Sequence, residues 1–216
     1  MITIGLADDQ PLVRTGFSLL INSQTDMEAS WQVADGTQVA HQKPVDIVLM
    51  DIQMPELNGI EATKQLITAN PDTKVIMLTT FDDEEFVAGA IAAGASGFLL
   101  KDTRPAELAE AIRTVAGGEA VVSPRITRRM LEMFASHLPE GGTGQAQEDP
   151  RIASLTPREH EILILMAQGM SNAEIAAHLV VSSTTVKTHV GNVLTKLNVR
   201  DRVQAVVVAY ETGLMA

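Results

Sequence analysis

Two adjacent acids, Asp8 and Asp9, follow the apolar run "ITIGLA", and a third, Asp51, ends "IVLMD". Thr79 sits at the end of "KVIMLTT" and Lys101 closes "GFLLK". Each residue alone has an ordinary reading. An aspartate after a strand is a turn or cap residue, and a threonine in a strand suits the pleat. Their joint chemistry is different if one edge of a sheet collects them. Three carboxylates in one pocket repel each other, and a hard divalent cation such as Mg²⁺, held by carboxylates and water, relieves that repulsion. A carboxylate beside such an ion can attack a phosphoryl group and become an aspartyl phosphate. The ammonium of Lys101 and the metal would stabilise charge on the transferring oxygens. A Thr79 hydroxyl could donate to the new phosphoryl oxygen.

The residues are brought together only if their strands are parallel. The four runs at 2–7, 47–51, 74–80 and 97–101 are rich in Ile, Val and Leu, and "MEASWQVA" (27–34) is a weaker fifth. Helical patterns fall between and after them at 11–23, about 37–43, 58–70, 84–93 and 104–117. Near-continuous apolar strands alternating with amphipathic helices predict an α/β, doubly wound, five-stranded parallel sheet covered on both faces. Right-handed crossovers restrict how it winds, and ligands then bind at the carboxyl ends of the strands.

The chain has 216 residues, no cysteine and a formal net charge of -11. Without thiols there is neither a disulfide framework nor a thiolate metal site, which fits a reducing cytoplasm. The five histidines form no metal-like cluster. No apolar run approaches the ~18 residues of a membrane span, and "MITIGLADDQ" does not read as a signal peptide. The charge is uneven. Residues 1–121 carry 18 acids against 7 bases, whereas residues 150–216 carry 5 acids against 6 bases. Between Ile175 and Arg200 lie Lys187, Lys196 and Arg200 with no acid. An acidic front and a locally basic tail suggest two jobs.

Residues 123–138 predict a helix with Ile126, Met130, Phe134 and Leu138 on one stripe. "PEGGTGQAQEDP" (139–150) has no apolar period and reads as a flexible linker. The boundaries drawn here are 1–121, a linker at 122–149, and 150–216. The last segment predicts four short capped helices. Thr156, Pro157 and Glu159 form one helix start, and Ser171 with Glu174 repeats it. Gly169 ends the first helix, Ser182 or Ser183 caps the third at about 183–198, and "DRVQAVVVAYETG" is the fourth.

With these residues in view, 1–118 resembles the receiver domain of a two-component response regulator, flavodoxin-like in fold. The match rests on Asp8, Asp9, Asp51 with Met54-Pro55, Thr79, and Lys101 within "GASGFLLKD". The tail resembles a LuxR-type helix-turn-helix through "LTPREHEIL", "SNAEIAAHL" and "SSTTVKTHVGNVLTKL". Together they resemble the NarL/FixJ family. That resemblance implies Asp51 as phosphoacceptor, with Mg²⁺ on Asp8, Asp9, Asp51 and the Gln53 backbone carbonyl. It implies Lys101 and Thr79 as phosphoryl-binding residues and Phe98 as the coupled aromatic, where many relatives carry Tyr. The implied partners are a sensor histidine kinase and promoter DNA, bound as a homodimer after phosphorylation, with no membrane role.

In a helix-turn-helix the second helix enters the major groove. By pattern Val186, Val190, Val193, Leu194 and Leu197 face its core, leaving Thr184, Thr185, Lys187, Thr188, Gly191, Asn192, Thr195 and Lys196 open. Lys187 is the best base or phosphate contact, with Thr188 and Asn192 weaker. Lys196 is expected on phosphate, and His189 on backbone or packing. Four acids in "FDDEEF" could guide a partner, or simply favour a helix start. The competing reading is a Mg²⁺-dependent phosphatase of the haloacid-dehalogenase kind. Such enzymes usually place a general-acid aspartate two positions after the nucleophile, where this chain has Gln53. The expectation is therefore no enzyme beyond its own phosphorylation and slow dephosphorylation.

Overall fold

Strand order decides which loops can meet. In the computed structural model, which describes residues 1–80, 84–119, 121–122 and 149–215, the chain divides into two units, Met1–Ile126 and Thr127–Ala216. The first unit runs β1 (Ile2–Ala7), α1 (Pro11–Asn22), β2 (Met27–Val33), a 3-10 segment (Gly36–His41), β3 (Ile47–Asp51), α2 (Gly59–Ala69), β4 (Lys74–Thr79), α3 (Glu84–Ala92), β5 (Gly97–Leu100), α4 (Pro105–Ala116) and β6 (Val121–Val122). Every pair in the sheet is parallel, in the order β2-β1-β3-β4-β5-β6. The winding reverses between β1 and β3, so the loops after those two strands diverge and leave a crevice at their carboxyl ends.

The strands form where predicted because both faces are covered. All five residues of β3 are buried, and Ile4, Leu6, Ile47, Leu49, Ile76 and Leu78 pack with Leu108, Ile112 and Val115 of α4. Two differences from the sequence reading have local causes. The helix expected at 37–43 is a 3-10 segment, six residues long, with Asp35 accepting from the Thr37 N–H at 2.7 Å. Gln42 is already extended, and Pro44 disfavours helical backbone at Lys43, so the turn cannot lengthen into an α-helix. The sheet also gains β6, a two-residue strand that pairs Val121 with Gly97 and Val122 with Phe98, so the boundary drawn at 121 cuts a strand. The helix expected at 123–138 lies outside the described residues, as does 139–148 of the expected linker. Pro150, placed in that linker, instead opens a helical turn capped by Asp149.

The second unit comprises α5 (Pro150–Ala153), α6 (Pro157–Ala167), α7 (Asn172–Leu179), α8 (Ser183–Leu197) and α9 (Arg202–Glu211). Both predicted capping boxes are formed, at Thr156/Glu159 and Ser171/Glu174, and Ser182 caps α8. The core joins Ile162, Leu163, Met166, Ile175, Val186, Val193 and Leu197 with Ala205 and Val208 of α9. No helix among the described residues is long and apolar enough to cross a membrane.

Val180, in the turn between α7 and α8, is the strained point. It has φ +55°, in the left-handed region, with its side chain 89% exposed. A β-branched residue there costs roughly 1–2 kcal/mol and gains no burial in return. Val180→Gly is expected to stabilise this unit by about 1 kcal/mol after the entropy that glycine loses on folding. Calorimetry of the full chain should show its transition moving up by about 4–8 °C. An unmoved or lower transition would refute the strain.

Candidate functional site

Register explains how the sheet-edge residues meet. Ala7 lies beside Met50, Asp51 beside Leu78, and Thr79 beside Leu100. Asp8, Asp51, Thr79 and Lys101 therefore emerge side by side at the carboxyl end. Asp8, Asp51 and Thr79 are buried and Asp9 is exposed. Lys101 Nζ lies 2.7 Å from Asp8 Oδ2 and 2.8 Å from Asp51 Oδ2, bridging the two acids. The second oxygens are held by backbone. Asp8 Oδ1 accepts from Gln10 N–H at 2.8 Å, and Asp51 Oδ1 from Gln53 N–H at 3.3 Å. Asp9, Gln10, Asp51, Gln53, Met54, Pro55, Thr79, Thr80 and Lys101 line a cleft of about 300 Å³.

Asp8, Asp9 and Asp51 each bring a carboxylate oxygen within 4.8 Å of the others. An all-oxygen set of that span suits a small hard cation that keeps part of its water shell. Burial raises the Asp51 pKa above the ordinary carboxylate value; the Lys101 ammonium opposes this and the Asp8 charge adds to it. Burial also works against the charge on Lys101, but hydrogen bonds and charge from Asp51 and Asp8 outweigh it and raise its pKa. The two directions are consistent. Lys101 has two carboxylates to itself, whereas Asp51 shares one ammonium with Asp8.

Phe98 is buried in β5, opposite Met77 and three positions before Lys101. The acids of "FDDEEF" have no described side chains. Sequence reasoning missed Arg14, whose guanidinium reaches back from the first turn of α1 to the Asp8 carbonyl. Its position four residues after Gln10, at the start of a helix, was the available signal. It also missed Asp35 and Gly36 as buttresses of the loop before α2. The Thr37 hydroxyl and N–H both donate to Asp35 Oδ1 and hold its pKa low, and a Cβ on Gly36 would fall 2.2 Å from the Leu57 carbonyl oxygen.

In the second unit α7 and α8 form a helix-turn-helix. Val186, Val190, Val193 and Leu197 are buried and Leu194 is half-buried, while Thr184, Thr185, Lys187, Thr188, Gly191, Asn192 and Thr195 are exposed. The Thr188 and Thr195 hydroxyls donate to the Thr184 and Gly191 carbonyls of the same helix, leaving their lone pairs outward. His189 is half-buried, and its Nδ1 has no hydrogen-bond partner among the described residues. The Lys196 ammonium is 2.6 Å from Glu159 Oε2, inside the α6 capping box. Arg202 was read only as part of a helix. It is buried and donates to Asn172 Oδ1 at 3.2 Å and to the Met170 carbonyl, tying the α6–α7 turn to α9.

Comparison with known proteins matches both halves. The model described as response regulator receiver domain covers residues 4–113, and that described as bacterial regulatory proteins, luxR family, covers 153–209. The transcriptional regulatory protein YxjL of Bacillus subtilis (strain 168) is 46% identical over 99% of this chain and 97% of its own. The crystal structure of the response regulator ChrA, from a heme-sensing two-component system, superposes with TM-score 0.52 at 32% identity, covering 99% of this chain and 98% of that one. A structure of two RcsB dimers bound to two parallel DNAs gives TM-score 0.56 over 98% of each chain; at 21% identity the likeness is one of fold.

Proposed function

The chain belongs to the response-regulator family, joining a receiver domain to a LuxR-type DNA-binding domain, and on that premise we propose that phosphorylation of Asp51 by a partner histidine kinase promotes its dimerisation on promoter DNA. The observation that carries this reading is the convergence of Asp8, Asp9, Asp51, Thr79 and Lys101 on one cleft, in the same chain as a capped helix-turn-helix. Mg²⁺ fits the acid set, with Asp8, Asp9, Asp51 and the Gln53 backbone carbonyl to hold it. When bound it neutralises charge on the transferring phosphoryl oxygens. The chain's own residues do the rest. An Asp51 carboxylate oxygen attacks phosphorus, forming a P–O bond as the bond to the donor's imidazole nitrogen breaks, and the electron pair leaves with that nitrogen. Lys101, already on Asp51, stabilises the new oxyanion, and the Thr79 hydroxyl donates to it.

Phosphorylation exchanges about one negative charge for up to two and adds strong acceptors. Phe98 and the loop after β4 are the elements this biases. The DNA-binding segment carries only one more base than acid, so a monomer binds weakly and in a salt-sensitive way, and a dimer on two half-sites binds tightly. Lys187, Thr184, Thr185, Thr188 and Asn192 supply the groove contacts. The protein works in the cytoplasm and is no enzyme toward other substrates, because Gln53 stands where a phosphatase would have its general acid.

The test is sedimentation of the full chain with Mg²⁺, with and without beryllofluoride. The expected result is a monomer that shifts to a dimer with the mimic. A monomer in both conditions would sink the dimerisation step. Absence of a phosphoryl mass increment after incubation with acetyl phosphate and Mg²⁺ would sink the phosphorylation itself.

A further inference from the structure

Lys196 is one of two lysines on α8, and the helix sets them apart. They are nine positions apart, which at 3.6 residues per turn places them about 180° from each other. If Lys187 addresses the groove, Lys196 points away from it. Lys196 also lies in the last turn of α8, whereas the N-terminal residues of such a helix contact base edges. It sits at the border of the buried stripe, with its side chain 35% exposed. The carboxylate it meets, Glu159, is 5% exposed, and the same Oε2 also accepts from the Thr156 backbone N–H at 2.8 Å. Thr156 Oγ1 in turn accepts from the Glu159 N–H at 3.4 Å. The ammonium thus ends a chain that begins in the N-terminal cap of α6 and terminates on the helix that enters DNA.

We propose that Lys196 is a positioning residue: with Glu159 and Thr156 it forms a strut that sets the angle of α8 against α6, and it makes no contact with phosphate. This rests on the DNA-binding reading above. A cap on α6 needs no lysine from α8, as Thr156 and Glu159 already satisfy each other within the box. What the lysine adds is a fixed distance between two elements. The relevant consequence is the orientation of the exposed face that carries Lys187, Thr188 and Asn192.

The experiment uses the full chain activated with beryllofluoride and a duplex enriched from a random-sequence pool by the wild type. Affinities of wild type, Lys196→Met, Glu159→Gln and the double variant are measured across a salt series, well below each melting transition. The strut predicts that both single variants lose about tenfold for the enriched duplex, about 1.4 kcal/mol. It also predicts that the double variant is no worse than either. The slope of log affinity against log salt should stay at the wild-type value, and Lys196→Arg should restore binding. A phosphate contact predicts the opposite pattern. The slope would fall by about 0.9 in Lys196→Met, and Glu159→Gln, by freeing the ammonium, would bind more tightly. That pattern, or affinities unchanged in both single variants, overturns the proposal. If Lys196→Met proves unfolded, Glu159→Gln and Lys196→Arg still decide between the two signs. Failure of the wild type to enrich any duplex would instead overturn the DNA-binding reading, and the proposal with it.

Discussion

Asp51→Asn is expected to take up no phosphoryl group and, in metal-free buffer at neutral pH, to melt above the wild-type chain. The first half follows from removing the nucleophilic oxygen. The second follows from the cost of the charge. Asp8, Asp9 and Asp51 crowd three carboxylates within reach of one cation, and among the described residues only Lys101 bridges two of them. Burial and the Asp8 charge together outweigh Lys101 and leave the Asp51 pKa raised, so its surroundings favour the uncharged form. A group whose folded pKa is raised contributes stability that is complete below its unfolded value and is lost as pH rises through the folded value. The wild type should therefore lose stability, relative to the asparagine variant, as pH rises from the ordinary carboxylate range to neutrality.

Mg²⁺ should reverse the order. At ten times its dissociation constant an ion that binds only the folded state stabilises it by ~1.4 kcal/mol, and the asparagine variant, lacking one ligand, should gain less. Thermal melts at two pH values, with and without Mg²⁺, check both signs. A variant that melts below wild type without metal, or responds to Mg²⁺ as wild type does, contradicts this account of the cleft.

How much of this was legible in the sequence depended on whether the cause was local. The strands at 2–7, 47–51, 74–80 and 97–101 were readable because covering both faces of a parallel sheet demands unbroken apolar runs. The capping boxes were readable because hydroxyl and carboxylate at a spacing of three satisfy each other within one turn. What escaped depended on distant partners. Lys196 looks like any exposed lysine until Glu159, 37 positions earlier, is placed beside it. Arg202 looks like a solvated helix residue until the Met170 carbonyl and Asn172 close over it. β6 is too short for a period and exists only because β5 offers an edge. The conversion of 37–43 to a 3-10 segment is half legible, since Pro44, which disfavours helical backbone at Lys43, stands in the sequence.

Gly59→Ala and Gly16→Ala should move the receiver domain's stability in opposite directions, and the difference measures how closely α2 is pressed on the phosphoacceptor strand. Both glycines are helical with ordinary backbone angles, so propensity alone favours alanine at each, by about 0.5–1 kcal/mol inside a helix. Gly16 is exposed on α1, and a Cβ there meets nothing within 4 Å. Gly16→Ala should gain that amount. At Gly59 a Cβ would fall 1.9 Å from the Asp51 carbonyl oxygen and 3.0 Å from Met50 Cγ. The obstacle is backbone, and it belongs to the residue that must stay in register with Asp8 and Lys101. Gly59 N–H also donates to the Ile52 carbonyl at 2.9 Å, so α2 cannot withdraw without breaking that bond. Overpacking of this kind costs about 1–3 kcal/mol, and here the upper figure is expected because no side-chain rotation relieves it. The displaced Asp51 should also accept phosphate from acetyl phosphate more slowly than in the wild type. Urea unfolding of both variants, with the phosphorylation rate of Gly59→Ala followed by intact mass, checks the pair. A Gly59→Ala chain as stable as wild type would mean that α2 can pivot away from β3. The position of Asp51 would then be set by the sheet alone, since the helix would no longer be needed to press on it.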